Sequence, residues 1–199
     1  MCRLVVSLWL LFVTSSVFAN APTVLVLGDS LSAGYGLRDG EGWVVLLQKQ
    51  AQQQKKNWQI VNSSISGDTT GNGLLRLPAA LATHQPQIVI IELGGNDGLR
   101  GTPPAAIQKN LTELVRMAQR AGANVFVMEM RLPYNYGKKY VEAFAANYRT
   151  VAEKEKAQVI PFFLADVALQ KDLMQADGIH PNAKAQPLMM RAVWNALKW

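Results

Sequence analysis

Apolar runs of strand length alternate along this chain with longer stretches whose apolar residues recur every three to four positions. The run at 23–27 (TVLVL) is continuous and stops at Gly28, the pattern of a strand buried on both faces. Residues 88–93 (IVIIEL) give the clearest such run, and 58–61, 124–130 and 158–162 give three more. Between the first two strands in the chain, 43–54 sets Val44, Leu47 and Ala51 on one helical face with glutamines and lysines opposite. A helix over 73–81 is expected to kink or end at Pro78, because proline removes an internal hydrogen bond. Pro103 and Pro104 open a helix that Gly122 stops. A long helix over 138–156 is striped by Val141, Phe144 and Tyr148, and a last one covers 182–197, with Met189, Met190 and Trp194 in its core face.

Five strands alternating with helices imply one α/β domain over 20–199: a three-layer α/β/α stack around a parallel sheet. In the flavodoxin-like order 2-1-3-4-5, the loops after strands one, two and three converge where ligands bind, outside the carboxyl ends.

Residues 1–19 stand apart from this pattern. Arg3 precedes an apolar run at 4–13, and Val17-Phe18-Ala19 gives a small-x-small cleavage site, so 1–19 reads as a signal peptide. The run is shorter than the about 20 residues that span a bilayer. Export to the periplasm or beyond follows, with no stable membrane insertion after cleavage. Cys2 is the single cysteine, so the exported chain has neither a disulfide nor a cysteine metal ligand. The net charge of +6 is scattered, with no basic stripe carrying aromatics, which argues against a nucleic-acid partner.

The chemistry sits in four short pieces: Gly28-Asp29-Ser30-Leu31-Ser32, Ser66-Gly67-Asp68, Gly94-Gly95-Asn96-Asp97 and Asp177-Gly178-Ile179-His180-Pro181. Serine is a weak nucleophile alone and needs an imidazole held by a third group. Of the two histidines, only His180 has a carboxylate, Asp177, three residues upstream. Pro181 steers His180 away from helical geometry and can itself occupy the first turn of the last helix. Gly67 and Asn96 offer donors for a developing oxyanion. Read singly, the pieces have structural explanations: Ser30 and Asp29 as helix caps, Gly67 and Asn96 as turn residues, His84 as a helix-end dipole partner. Asp68 and Glu92 are expected to be structural or to support the site. Together and in this order, the four pieces point to acyl transfer.

The same pieces, with GDSLSAGYG at 28–36, ELGGNDGLRG at 92–101 and RLPYNYG at 131–137, resemble the SGNH (GDSL) hydrolase family over essentially the whole chain after the leader. They are most similar to its exported thioesterase, lysophospholipase and arylesterase group. The resemblance implies Ser30 as nucleophile, His180 as base and Asp177 as its orienting carboxylate. It also implies an oxyanion hole of the Ser30 and Gly67 N–H groups with the Asn96 amide. Its expected substrates are lysophospholipids, acyl thioesters and simple esters, cleaved without cofactor or metal; a monomer is the expectation, though no residue pattern specifies the oligomeric state. A mobile loop at 98–103 and an acyl-contacting Leu132 also follow from it. Leu99 and Arg100 within that loop, and Ile179 between Asp177 and His180, complete the expected substrate-contacting set.

A reading from a different class is a flavin-phosphate module, since such folds bind phosphate after strand one. It leaves Asn96 and the Asp177–His180 pair unexplained. The G-x-S-x-G elbow of α/β-hydrolases does not fit either, because Ser32 stands where its second glycine would be.

Overall fold

The computed structural model describes residues 21–197; the expected leader at 1–19 lies outside the described residues. Five strands form one parallel sheet: β1 Thr23–Gly28, β2 Gln59–Asn62, β3 Ile88–Glu92, β4 Asn124–Met128 and β5 Gln158–Ile160. Their order is β2-β1-β3-β4-β5, as the sequence predicts. All six residues of β1 are buried, which is why its run carries no polar alternation.

The helices are α1 Ser30–Ala33, α2 Trp43–Gln53, α3 Thr70–His84, α4 Gly95–Leu99, α5 Pro104–Arg120, α6 Lys138–Glu155 and α7 Gln186–Ala196. The chain steps from β1 outward to β2 and then back past β1 to β3. Right-handed crossovers therefore put α2 on one face and α3, α5 and α6 on the other. Packing follows that division, with α3 against α5, α5 against α6, and α7 joining α2. Trp43, Phe144 and Tyr148 are the bulkiest wholly buried side chains of the core. Among the described residues no helix is long and apolar enough to cross a membrane.

Several boundaries differ from the sequence reading. Helix α3 begins at Thr70, where the Thr69 side chain accepts the Asn72 N–H, and it runs through Pro78 to His84. Pro78 lies on the exposed face, so the carbonyl of Leu74 that it leaves without a helical donor is on the solvent side. Strands β4 and β5 each end two residues early. Helix α7 starts at Gln186 rather than 182, with Pro187 in its first turn. The Asn182 side chain is engaged instead with the Asp172 and Met174 carbonyls, and Pro181 forms a bridge with Met174 rather than a helical turn. His84 ends α3, Met189 is wholly buried, and Met190 and Trp194 are partly buried against the core.

Candidate active site

Where β1 ends, the backbone turns at once into α1. The Asp29 carboxylate caps that helix, its Oδ1 accepting the Leu31 N–H at 3.0 Å, and Ser30 becomes the first helical residue. The loops after β1, β2 and β3 converge at the sheet's carboxyl edge, as the switch point in strand order requires. The segment beyond β5 brings in the fourth piece. His180 Nε2 lies 2.8 Å from Ser30 Oγ, and His180 Nδ1 lies 2.6 Å from Asp177 Oδ2. Asp177 Oδ1 also accepts the Ile179 and His180 N–H groups at 2.9 and 3.0 Å. The His180 N–H and ring, then the Ile179 N–H, hold the Asp177 carboxyl down at about 2. The Tyr35 ring packs on the imidazole with centroids 4.5 Å apart.

Asn96 stands opposite. Its Nδ2 donates to Asp29 Oδ2 at 3.0 Å and to the Asp68 carbonyl at 2.9 Å. Both partners can only accept, so the nitrogen must face them. Gly67 has φ +83° with nothing within 4 Å of where a Cβ would stand, so its loop is open on that side. The Ser30 and Gly67 N–H groups have no protein acceptor among the described residues. Asp68 is pinned by the Arg76 guanidinium, whose Nε donates at 2.7 Å while its Nη1 donates to the Ser63 carbonyl at 2.8 Å. Asp68 thus supports the loop that carries Gly67.

Beneath the serine lies a second carboxyl. Glu92 is wholly buried, and its Oε2 accepts Ser32 Oγ at 2.6 Å and the Asp29 N–H at 3.2 Å. Burial raises Glu92 well above the usual carboxylate range, with the Asp29 charge adding to it. Asp29 is 2% exposed and burial pushes it up to about 6. Gly28 pairs with Glu92 across the two strands, and a Cβ there would fall 2.6 Å from Glu92 Oε2. Glycine at 28 is therefore set by the carboxyl beside it. The Asp29 carboxyl in the turn after β1 and Glu92 beneath it leave that turn without the cationic or open N–H cradle a phosphate needs, which weighs against the flavin-phosphate alternative.

The family follows from the sequence pattern of the GDSL-like lipase/acylhydrolase family, which matches residues 26–187. The chain belongs to that family. It is 51% identical over 180 residues to the esterase TesA of Pseudomonas aeruginosa, covering 90% of each chain. It is 47% identical to thioesterase 1/protease 1/lysophospholipase L1 of Escherichia coli strain K12, covering 89% of this chain and 83% of that one. Among solved structures, the psychrotrophic esterase EstA from a Pseudoalteromonas species, inhibited by monoethylphosphonate, superposes with a TM-score of 0.86. It is 45% identical and covers 88% of this chain and 96% of the other.

The expected substrate contacts are less uniform than the site itself. A small cleft at Ser30 is lined by Leu31, Tyr35, Leu37, His180 and Pro181, and neither Leu99 nor Leu132 lines it. Leu132 is 6% exposed, with Gly98 so close that a Cβ there would fall 2.8 Å from its methyls. Leu99 is partly buried against the core, while Ile179 is 54% exposed beside His180. Arg100 donates to the Gly67 carbonyl at 3.2 Å. Sequence reasoning missed the Asp29–Asn96 bond, the Ser32–Glu92 bond and the Tyr35–His180 contact. All of these residues lie in or beside the four pieces, but the first two pairings depend on the register of β1 against β3 and the third on how the segment beyond β5 folds back.

Proposed function

We propose that the chain is an exported, monomeric serine hydrolase of acyl esters and thioesters, with lipid-derived esters as its natural substrates and no cofactor. The observation that carries the reading is the file Asp177–His180–Ser30, joined at 2.6 and 2.8 Å across 150 residues of sequence. Ser30 Oγ attacks the carbonyl carbon while His180 Nε2 takes its proton. Asp177 holds the Nδ1 tautomer and stabilises the imidazolium that forms. The carbonyl oxygen becomes an oxyanion, received by the Ser30 and Gly67 N–H groups and by Asn96. Both Asn96 hydrogens are engaged in the resting protein, so the oxyanion shares one of them with Asp29 or the Asp68 carbonyl. His180 then returns the proton to the departing alcohol or thiol. Water, deprotonated by the same imidazole, releases the acid and restores Ser30 Oγ–H.

Leu99, Arg100, Leu132 and Ile179 would contact the acyl chain or leaving group, with 98–103 moving to admit it. Residues 1–19 would direct export and be removed. The test is Ser30→Ala: turnover of p-nitrophenyl esters is expected to vanish in a folded protein. Retention of about a tenth of the wild-type kcat sinks the proposal, since removing a triad member costs far more. Labelling with a monoethylphosphonate, which inhibits the Pseudoalteromonas esterase, is expected to modify Ser30 and nothing else.

A further inference from the structure

Among the described residues, eight large apolar side chains stand exposed, and only Val45 and Leu75 of these lie on helices of the main layers. The other six leave the sheet at its carboxyl edge: Tyr35 after β1, Ile65 after β2, Tyr134 and Tyr136 after β4, Leu169 and Ile179 after β5. Ser30 opens on that same edge. Scattered apolar residues need no explanation, but a rim of them around a site does.

The segment after β4 concentrates the feature. Residues 131–139 (RLPYNYGKK) carry Arg131, Lys138 and Lys139 and no acid. Tyr134 projects from a single 3-10 turn, Tyr134–Tyr136, and is 86% exposed. Lys138 has one long contact, 3.9 Å to Glu142, and the Arg131 guanidinium rests over the Phe162 ring at 5.3 Å. Glu129, which directly follows β4, is buried and paired with Arg149, and the exposed acids of this edge lie at Asp39 after β1 and at Asp166, Asp172 and Asp177 after β5. The 131–139 segment itself is therefore basic and aromatic. The turn is also tied to the 98–102 segment, since Tyr136 Oη donates to the Leu99 carbonyl and Tyr140 Oη to those of Gly98 and Thr102.

We propose that the turn at 131–139 docks on an anionic phospholipid surface, with Tyr134 entering the headgroup layer and Arg131, Lys138 and Lys139 facing lipid phosphates. Tyrosine suits that layer because its ring is apolar and its tip is wet. Clustered lysines and arginines are attracted to anionic headgroups within a Debye length. An ester at that surface then meets Ser30 from the side on which the site opens. The inference rests on the acyl-hydrolase reading only for what happens after docking.

The test is co-sedimentation of the exported form, residues 20–199, with vesicles of phosphatidylglycerol or of phosphatidylcholine, beside the triple variant Tyr134→Ser, Lys138→Glu, Lys139→Glu. Residues 1–19 are left out because their apolar run would itself bind either vesicle. The wild type is expected to prefer phosphatidylglycerol, less so at high salt, and the variant to lose at least about 10-fold of that binding. Turnover of soluble p-nitrophenyl acetate is expected to be unchanged in the variant. Equal binding to both vesicles, or equal binding by variant and wild type, overturns the proposal. Ser30→Ala separates the two readings: it is expected to bind vesicles as the wild type does while being inactive. Vesicle binding with surviving turnover would remove the catalytic reading and leave the docking surface standing.

Discussion

The Asp29 carboxylate accepts the Asn96 amide at 3.0 Å, linking the residue before Ser30 to a side chain 67 positions away. With the Asp68 carbonyl on the other hydrogen, this bond fixes the orientation of the amide that the proposed mechanism uses. Asn96→Ala is expected to lower kcat by about 10²–10³, the usual effect of losing one oxyanion donor. Asp29→Asn lets the Asn96 amide turn over, and is expected to lower kcat by roughly 10-fold with KM little changed. The decisive measurement is the double variant. If Asp29 acts through Asn96, its effect disappears in the Asn96→Ala background, whereas additive losses would give it an independent role.

Gly28→Ala is expected to destabilise the fold by about 1–3 kcal/mol, the ordinary cost of overpacking a filled core. Its Cβ would sit 2.6 Å from Glu92 Oε2 and 2.8 Å from the Ser32 side chain, and both are buried. Turnover should fall as well, because Ser30 is two residues on. Gly71→Ala is the control, since the nearest atom to its Cβ, Thr69 Oγ1, lies 3.7 Å away. Thermal melts and p-nitrophenyl butyrate assays on the two variants check both points.

The sheet was legible because four of its five strands are uninterrupted or nearly uninterrupted apolar runs, and their order is the flavodoxin-like one expected of such alternation. Helices α1 and α4 were not, because four or five residues hold no helical period. The start of α3 depends on the Thr69 cap, a signal easily overlooked beside Pro78. In the site, Ser30, Asp177 and His180 were visible as residue types that need one another. The bonds from Glu92 to Ser32 and from Asn96 to Asp29 were not, because they span 60 and 67 residues and depend on which positions face each other across β1 and β3.

Stability should fall as pH rises, because buried carboxyls favour the folded state while protonated. For Asp29, raised to about 6 by burial, that contribution is complete below the unfolded value of ~3.9. It is lost as pH rises from about 4 to about 6. Glu92, raised further, continues the loss at higher pH. Asp177 acts in the opposite sense: its depressed carboxylate stabilises the fold above about pH 4, and this is lost as pH falls toward about 2. Glu92→Gln keeps the shape and removes the charge, so its Tm should depend less on pH than the wild type's on the alkaline side. Melting curves across a pH series measure the difference, and parallel curves would mean that Glu92 does not titrate there.

Leu132→Ala should cost about 2–5 kcal/mol of stability, because its methyls pack on Gly98 in the core. If 98–103 moves to admit an acyl chain beside Leu132, the same variant lowers kcat/KM for decanoyl esters by about 10-fold while acetyl esters change little. A chain-length series on the two proteins distinguishes this from a general loss. Uniform decline would leave Leu132 with a packing role alone.

His180 reaches Ser30 from 150 residues further along the chain, in a segment anchored from α7, where Gln186 Oε1 accepts the Trp43 N–H at 3.0 Å. A chain still emerging from the ribosome holds Ser30 long before it holds His180. Until residue 180 has been made and α7 has docked on α2, Ser30 lacks the imidazole that the proposed mechanism requires. Under the proposed mechanism, turnover would therefore report completion of the fold.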